Sequence, residues 1–160
     1  MAVTNQKSDQ ITNFDAVPAV NEQAHNLHGR VRMAYVSHTQ SGAGDATSDI
    51  ELLRLPAGKV RLLGNISNLE FSWATASATA DIGWAAYTDL NGAAVAADPN
   101  GLDDGINVDT ANTETAIGSL VEAKTKLFES NSGVSIMVTS QDVALADGDT
   151  VEGVIYYVVD

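Results

Sequence analysis

The 160-residue chain contains no cysteine. This absence excludes disulfides, thiolate zinc sites and thiol nucleophiles, and it fits assembly in a reducing cytoplasm. No apolar run approaches the roughly 20 residues with which a helix spans a bilayer. The N-terminal residues MAVTNQKSDQ also lack the basic and apolar regions of a secretory signal. We therefore expect a soluble protein without a visible export signal.

Basic residues are scarce, with 8 lysines and arginines against 21 aspartates and glutamates and a formal net charge of −13. Binding to nucleic acid depends on lysine and arginine side chains that displace counterions from phosphates. Anionic membranes select for the same basic residues. The composition therefore predicts neither a nucleic-acid partner nor a membrane partner.

Catalytic motifs are also missing, since the chain has no G-x-S-x-G, P-loop, H-E-x-x-H or Rossmann glycine pattern. Pairs of carboxylates can always be chosen from 21 acidic residues, so their presence indicates nothing. We expect no enzymatic activity, no catalytic residue and no cofactor.

Residues 50–88 offer more bulky apolar surface than any other window of the chain, broken only by turn residues. Leu69, Phe71 and Trp73 alternate with polar residues, which is the period of a strand with one buried face. Residues 82–87 repeat the alternation. This stretch is the predicted core, and Phe71, Trp73 and Trp84 are expected to be buried.

The remaining pattern indicates an antiparallel β protein. Residues 30–40 read as a strand, and residues 50–55 and 59–66 read as a hairpin around Pro-Ala-Gly. Residues 89–117 read mainly as a long loop with a tight turn at Asn91-Gly92. Residues 119–130 fit a strand somewhat better than a helix, and two further strands follow. Six to eight strands predict one all-β domain over 30–160, an antiparallel jelly-roll-like β-sandwich.

Residues 1–29 are polar and are interrupted by Pro18. Their scattered apolar residues Ile11, Phe14, Val17 and Val20 cannot build a core of their own. We interpret the segment as an extended N-terminal arm that orders against a partner through these four residues. A frayed terminus with one edge strand is an equal alternative.

Two groups of residues could hold a metal, and a simpler interpretation is favoured for each. His25, His28 and His38 lie close together in sequence, but a zinc site needs three or four ligands in a defined geometry. Asp98, Asn100, Asp103, Asp104 and Asp109 offer the oxygen atoms that calcium prefers, yet their spacing does not match an EF-hand loop. We expect a solvated polar segment and an acidic turn, and no metal.

Trp73, Trp84 and Tyr87 could form a stacking platform for a sugar. They lie in the most apolar part of the chain, however, and large aromatic residues in alternating strands usually belong to the core. We therefore expect these rings to belong to the core, and we keep a carbohydrate-binding module as the alternative.

Three runs together resemble a known group of proteins: IELLRLPAGKVR from Ile50, DIGWAAYT from Asp81 and GLDDG from Gly101. Over about residues 48–110 the chain is similar to small virion structural proteins of tailed bacteriophages, which include capsid cement or decoration proteins. The resemblance implies a β-sandwich bound to the outside of a head. It transfers no catalytic or ligand residue.

From this resemblance we expect a cement protein on the capsid exterior, assembled in the host cytoplasm, with the major capsid protein as its partner. Closed cyclic symmetry favours self-association as a homotrimer, with a dimer as the alternative. A neck, tail or head-fibre component is the second candidate within a virion.

Overall fold

The structure is a computed structural model that describes residues 15–18, 20 and 29–159. Its strands are β1 (Val31–Thr39), β2 (Asp49–Leu55), β3 (Gly58–Leu62), β4 (Asn68–Ser72), β5 (Thr79–Trp84), β6 (Tyr87–Thr88), β7 (Ala94–Val95), β8 (Asp98–Asn107), β9 (Thr113–Ala116), β10 (Leu127–Ser130), β11 (Val134–Ser140) and β12 (Thr150–Val159). Two short 3-10 turns, Gly64–Ile66 and Ala123–Thr125, complete the described secondary structure.

The strands form two main antiparallel sheets. The six-stranded sheet has the order β10-β3-β12-β4-β9, with β1 paired to β12, and the four-stranded sheet has the order β2-β11-β5-β8. β6 and β7 form a separate small hairpin around the predicted Asn91-Gly92 turn, where Gly92 has a φ of 86°. The prediction of an all-β antiparallel sandwich is confirmed. Most of the predicted N-terminal arm lies outside the described residues.

One hydrophobic core joins the facing surfaces of the two sheets. Leu69, Phe71 and Ile155 of the six-stranded sheet are fully buried, as are Ile82 and Ile136 of the four-stranded sheet. The alternation over residues 69–73 is confirmed, because Glu70 and Ser72 lie on the opposite face of β4. In β5, by contrast, all residues from 80 to 84 are buried, so this strand is covered on both faces.

The predicted hairpin over residues 50–66 is wrong. β2 pairs with β11 in the four-stranded sheet, whereas β3 pairs with β10 and β12 in the six-stranded sheet. The Pro-Ala-Gly turn therefore carries the chain across the core from one sheet to the other, and Leu55 and Leu62 are both buried between the sheets. Alternation shows which residues are buried but does not show which strand lies alongside.

The loop predicted for residues 89–117 is also wrong, since β8 and β9 lie within it. β8 is rich in Asp, Asn and Gly, which are poor strand formers, and its pairing with β5 is interrupted by irregular register. At Gly83 in β5 a Cβ atom would lie 1.9 Å from the Asp98 carbonyl oxygen, so glycine permits the close approach of the two strands. Pairing with the buried β5 therefore overrides the weak strand propensity of β8.

Residues 119–130 are only partly a strand. Ala123–Thr125 forms a 3-10 turn, and β10 begins at Leu127. Ala123 and Phe128 are buried, whereas Val121 is 84% exposed. The mixed pattern of the sequence thus corresponds to a turn that leads into a short strand.

The predicted burial of Phe71, Trp73 and Trp84 is confirmed. The Trp84 ring packs edge-on against Phe128, with ring centroids 5.4 Å apart, and Lys126 Nζ lies 4.6 Å from its centroid. A Cβ at Gly101 would lie 2.3 Å from Trp84 Cη2, so the indole fills the space that this glycine leaves.

Replacing Trp84 by Ala should therefore leave a cavity beside Phe128. We expect Trp84→Ala to lower the free energy of unfolding by about 3–5 kcal/mol, as other truncations of large buried aromatic residues do. Urea denaturation followed by circular dichroism measures the change. Val121→Ala, at an exposed apolar position, serves as the control and should change stability little; a near-neutral Trp84→Ala would contradict the assignment of Trp84 to the core.

Candidate interaction surface

The predicted partner-binding residues are only partly described. Val17 is 98% exposed and Val20 is 54% exposed, as a contact surface requires. Ile11 and Phe14 lie outside the described residues. The role of these four residues in attachment stays a prediction.

The proposed histidine group is not assembled in the described part of the chain. His38 lies in β1, where its Nε2 is 3.3 Å from the Gln40 Oε1 atom, and His25 and His28 fall outside the described residues. Among residues 15–18, 20 and 29–159, no group of three or more His, Cys, Asp or Glu side chains could hold a metal ion.

β1 carries an apolar surface on the outer face of the six-stranded sheet. Val31, Met33 and Tyr35 are 58%, 62% and 63% exposed, while Val36 on the other face of β1 is buried. The strand predicted for residues 30–40 is confirmed, and its alternating apolar residues face outward. Together with exposed Ile66 and half-buried Val154 and Tyr156, these residues are called the apolar strip.

A row of three glutamates crosses the same face beside the apolar strip. Glu152 of β12 is directly opposite Glu70 of β4, and Glu70 is directly opposite Glu114 of β9. Ser37 of β1 is opposite Glu152 and extends the polar row by one strand. Glu114 and Glu152 are exposed and Glu70 is half-buried, so the carboxylates are accessible from outside. We call Glu70, Glu114 and Glu152 the glutamate row.

The neighbours of the glutamate row are neutral. Tyr35 Oη donates a hydrogen bond to Glu152 Oε2 at 2.8 Å, and Asn68 Nδ2 donates one to Glu114 Oε1 at 3.0 Å. The hydrogen bond to Glu152 raises the pKa of Tyr35, because the phenol proton is held by the carboxylate. In the part of the chain that the structure describes, Glu70 has no hydrogen-bonding partner for its side chain.

A groove of about 340 Å³ lies between the strip and the row. Its walls combine Tyr35, Ile66, Val154 and Tyr156 of the strip with all three glutamates and their neighbours. Of the residues with a described position, no lysine or arginine lines it. The groove therefore offers apolar contact on one side and negative charge on the other.

The predicted oxygen cluster is split between two environments. Asp98, Asn100 and Asp104 line a second cavity of about 400 Å³ together with Trp84 and Lys126. Asp103 is instead buried and accepts hydrogen bonds from the Ser119 hydroxyl and the Asp104 backbone N–H. Asp109 is exposed at the turn after β8. The five residues do not converge on one point as calcium ligands do.

The sugar platform suggested for Trp73, Trp84 and Tyr87 is not formed as an open surface. Trp73 is 3% exposed and Trp84 is 7% exposed, and Tyr87 packs with its ring centroid 6.1 Å from that of Phe128. The buried tryptophan rings leave no open face on which a sugar could stack, and Tyr87 is half-buried against the core. The aromatic residues belong to the core.

Sequence reasoning missed the glutamate row, because strand register decides which residues lie opposite one another. The alternation of Val31, Met33 and Tyr35 was visible in the sequence. The exposure of these three side chains in the structure shows that this side of the strand faces outward. Among the described residues, no helix is long and apolar enough to cross a bilayer.

Comparison with known proteins finds similarity in structure only. The chain is similar to a chain in the capsid of Ralstonia phage GP4, with 20% identity, a TM-score of 0.61, and coverage of 82% of this chain and 86% of that chain. It is also similar to a chain in the cyanophage Pam1 capsid asymmetric unit, with 17% identity, a TM-score of 0.55 and coverage of 100% of both chains. No family model and no curated protein matches. The chain thus has the fold of chains found in phage capsids.

A buried carboxylate, Asp81 of β5, gives a test of the fold. Its side chain is 5% exposed and accepts a hydrogen bond from the Gly105 backbone N–H at 2.8 Å. Burial raises the pKa of Asp81, and the nearby carboxylates of Asp104, Asp103 and Asp142 raise it further. The ionised form is therefore disfavoured in the folded state.

We expect Asp81→Asn to raise the melting temperature near neutral pH. The folded pKa lies above the unfolded value of about 4, so the wild type loses stability as the pH rises between these two values. Asparagine keeps the acceptor for Gly105 but carries no charge, so the advantage of the variant should shrink as the pH falls toward about 4. Thermal melts across this range measure the effect, and exposed Asp45→Asn is the control. A variant that is less stable at neutral pH would refute the argument.

Proposed function

We propose that this chain is a non-enzymatic structural component of a tailed-phage virion that binds the outside of the capsid and stabilises contacts between capsomers. The observation that carries the proposal is the similarity over its whole length to a chain of a phage capsid asymmetric unit. That chain is of comparable length, which is short for a major capsid subunit. The major capsid protein is therefore the proposed partner of this chain rather than its equivalent.

The charge of the chain supports a position outside the head. With a formal net charge of −13, the protein would be repelled by the packaged DNA in the interior. On the exterior the same charge keeps the unbound chain soluble. Long-range charge also directs the approach to a surface of opposite sign.

Two parts of the chain make the proposed contact with the capsid. The sandwich presents the exposed sheet face described above, and residues 1–29 form the proposed attachment arm. An extended chain covers up to about 3.3 Å per residue, so an arm of about 20 residues can reach a neighbouring capsomer. Self-association as a homotrimer repeats one modest interface around a capsid axis.

The proposal predicts saturable binding to particles that lack the chain. Addition of the purified protein should raise the temperature at which such particles release their DNA, because a ligand that binds only the intact lattice stabilises it. Electron cryo-microscopy of the decorated particles should show the chain outside the shell, as trimers. A chain found at low copy number in the neck or tail would overturn the cement role and favour the second candidate.

Deletion of residues 2–24 tests the arm. We expect the shortened chain to keep its melting temperature, since the buried hydrophobic residues that the structure describes lie within residues 36–158. Its affinity for the same particles should fall strongly, because the extended contacts are lost. Replacing Val17 and Val20 together by Ser in the full chain is a milder version that needs no truncation. Undiminished binding by both would place the contact on the sandwich alone.

A further inference from the structure

The glutamate row is unusual for an antiparallel sheet. Like charges directly opposite each other on neighbouring strands are destabilising, whereas opposite charges are favourable. Elsewhere the same protein follows the rule: Glu129 of β10 is opposite Lys59 of β3 with a 2.6 Å ion pair. In the glutamate row the described residues supply only the neutral donors Tyr35 and Asn68. The sheet thus tolerates a repulsion that its own side chains do not relieve.

The apolar strip beside the row is a second, independent observation. Val31, Met33 and Tyr35 follow one another on the outer face of β1 and are each more than half exposed. Contiguous exposed apolar residues with a polar border are typical of interaction sites. The groove between strip and row places both kinds of contact within reach of one ligand.

We propose that this face docks a basic segment of a neighbouring capsid subunit that carries lysine or arginine together with apolar residues. The inference rests on the proposed function for the identity of the partner, and on charge complementarity for its chemistry. The basic side chains lie over Glu70 and contact Glu114 and Glu152 on either side of it. The apolar side chains pack against Met33, Tyr35 and the neighbouring residues of the strip.

A second copy of this chain fits the face poorly. Two-fold pairing of this face would bring one glutamate row toward another. A head-to-tail contact would need a basic surface, and the chain has 8 basic residues against 21 acidic ones. A phosphate-bearing polymer has the wrong sign of charge. A cationic protein segment is the occupant that satisfies both the row and the strip.

The decisive variant is the triple substitution Glu70→Gln, Glu114→Gln and Glu152→Gln in the full chain. Glutamine keeps an oxygen that accepts the hydrogen bonds from Tyr35 and Asn68, so the fold should be retained. Because three opposed charges disappear, the melting temperature should be equal to or higher than that of the wild type. Any loss of binding by this variant is then not caused by unfolding.

Binding to particles lacking the chain should weaken about tenfold at low ionic strength, mainly through slower association. The difference should become small near 0.5 M salt, about where screening removes the attraction in the wild type. The matched control replaces three exposed acidic residues on other surfaces, Asp45→Asn, Asp104→Asn and Glu122→Gln. It makes the same change in net charge and should bind within about twofold of the wild type.

A separate substitution tests the apolar strip. Met33→Ser should weaken binding at low and at high salt alike, since apolar contact does not depend on ionic strength.

If the triple variant and Met33→Ser both bind as the wild type does, this inference is overturned while the proposed function stands. If the wild type itself does not bind the particles, the proposed function fails instead. If the triple variant changes the oligomeric state in mass photometry, the occupant is another copy of this chain and the inference is wrong.

Discussion

The register of β12 is the constraint on which the rest of the six-stranded sheet depends. This ten-residue strand pairs with β1 along nearly its whole length on one side, and with β4 and then β3 on the other. Val151 and Ile155 point into the core from it. A slip of one residue would move these side chains to the solvent face and bring Glu152 into the core. The cost of burying that unpaired carboxylate fixes the register in the native state.

The same register determines the outer surface. Because successive residues of a strand face opposite sides, the burial of Val151 and Ile155 places Glu152, Val154 and Tyr156 outside. The pairing of Glu152 with Glu70, and of Val154 with Tyr35, then follows without further choice. The core and the candidate interaction surface are thus two consequences of one alignment, and the outer residues can change in charge while the core stays unchanged.

Much of the fold could be predicted from the sequence, and the failures have one cause. The periodicity of Leu69, Phe71 and Trp73 identified a buried face correctly, since alternation and burial are local consequences of strand geometry. Partner choice is not local, and so the connection over residues 50–66, which crosses between the two sheets, was mistaken for a hairpin. β8 was missed for a related reason, because the hydrogen bonds that hold its Asp-rich and Gly-rich sequence come from β5. The glutamate row depends on the pairing of three strands that are far apart in the chain, and no pattern within a single segment encodes it.

The position of the glutamate row next to the apolar strip has a consequence for the unbound protein. An exposed apolar surface on an edge strand such as β1 invites association with other copies, and proteins commonly oppose this with charge. A row of carboxylates beside the strip makes the approach of a second acidic chain unfavourable, while it favours a partner of opposite sign. Under the proposed docking, the charge of the row acts on specificity at this face: it costs some stability in the free protein and disfavours the docking of another copy of the chain there, while a homotrimer would form through other surfaces.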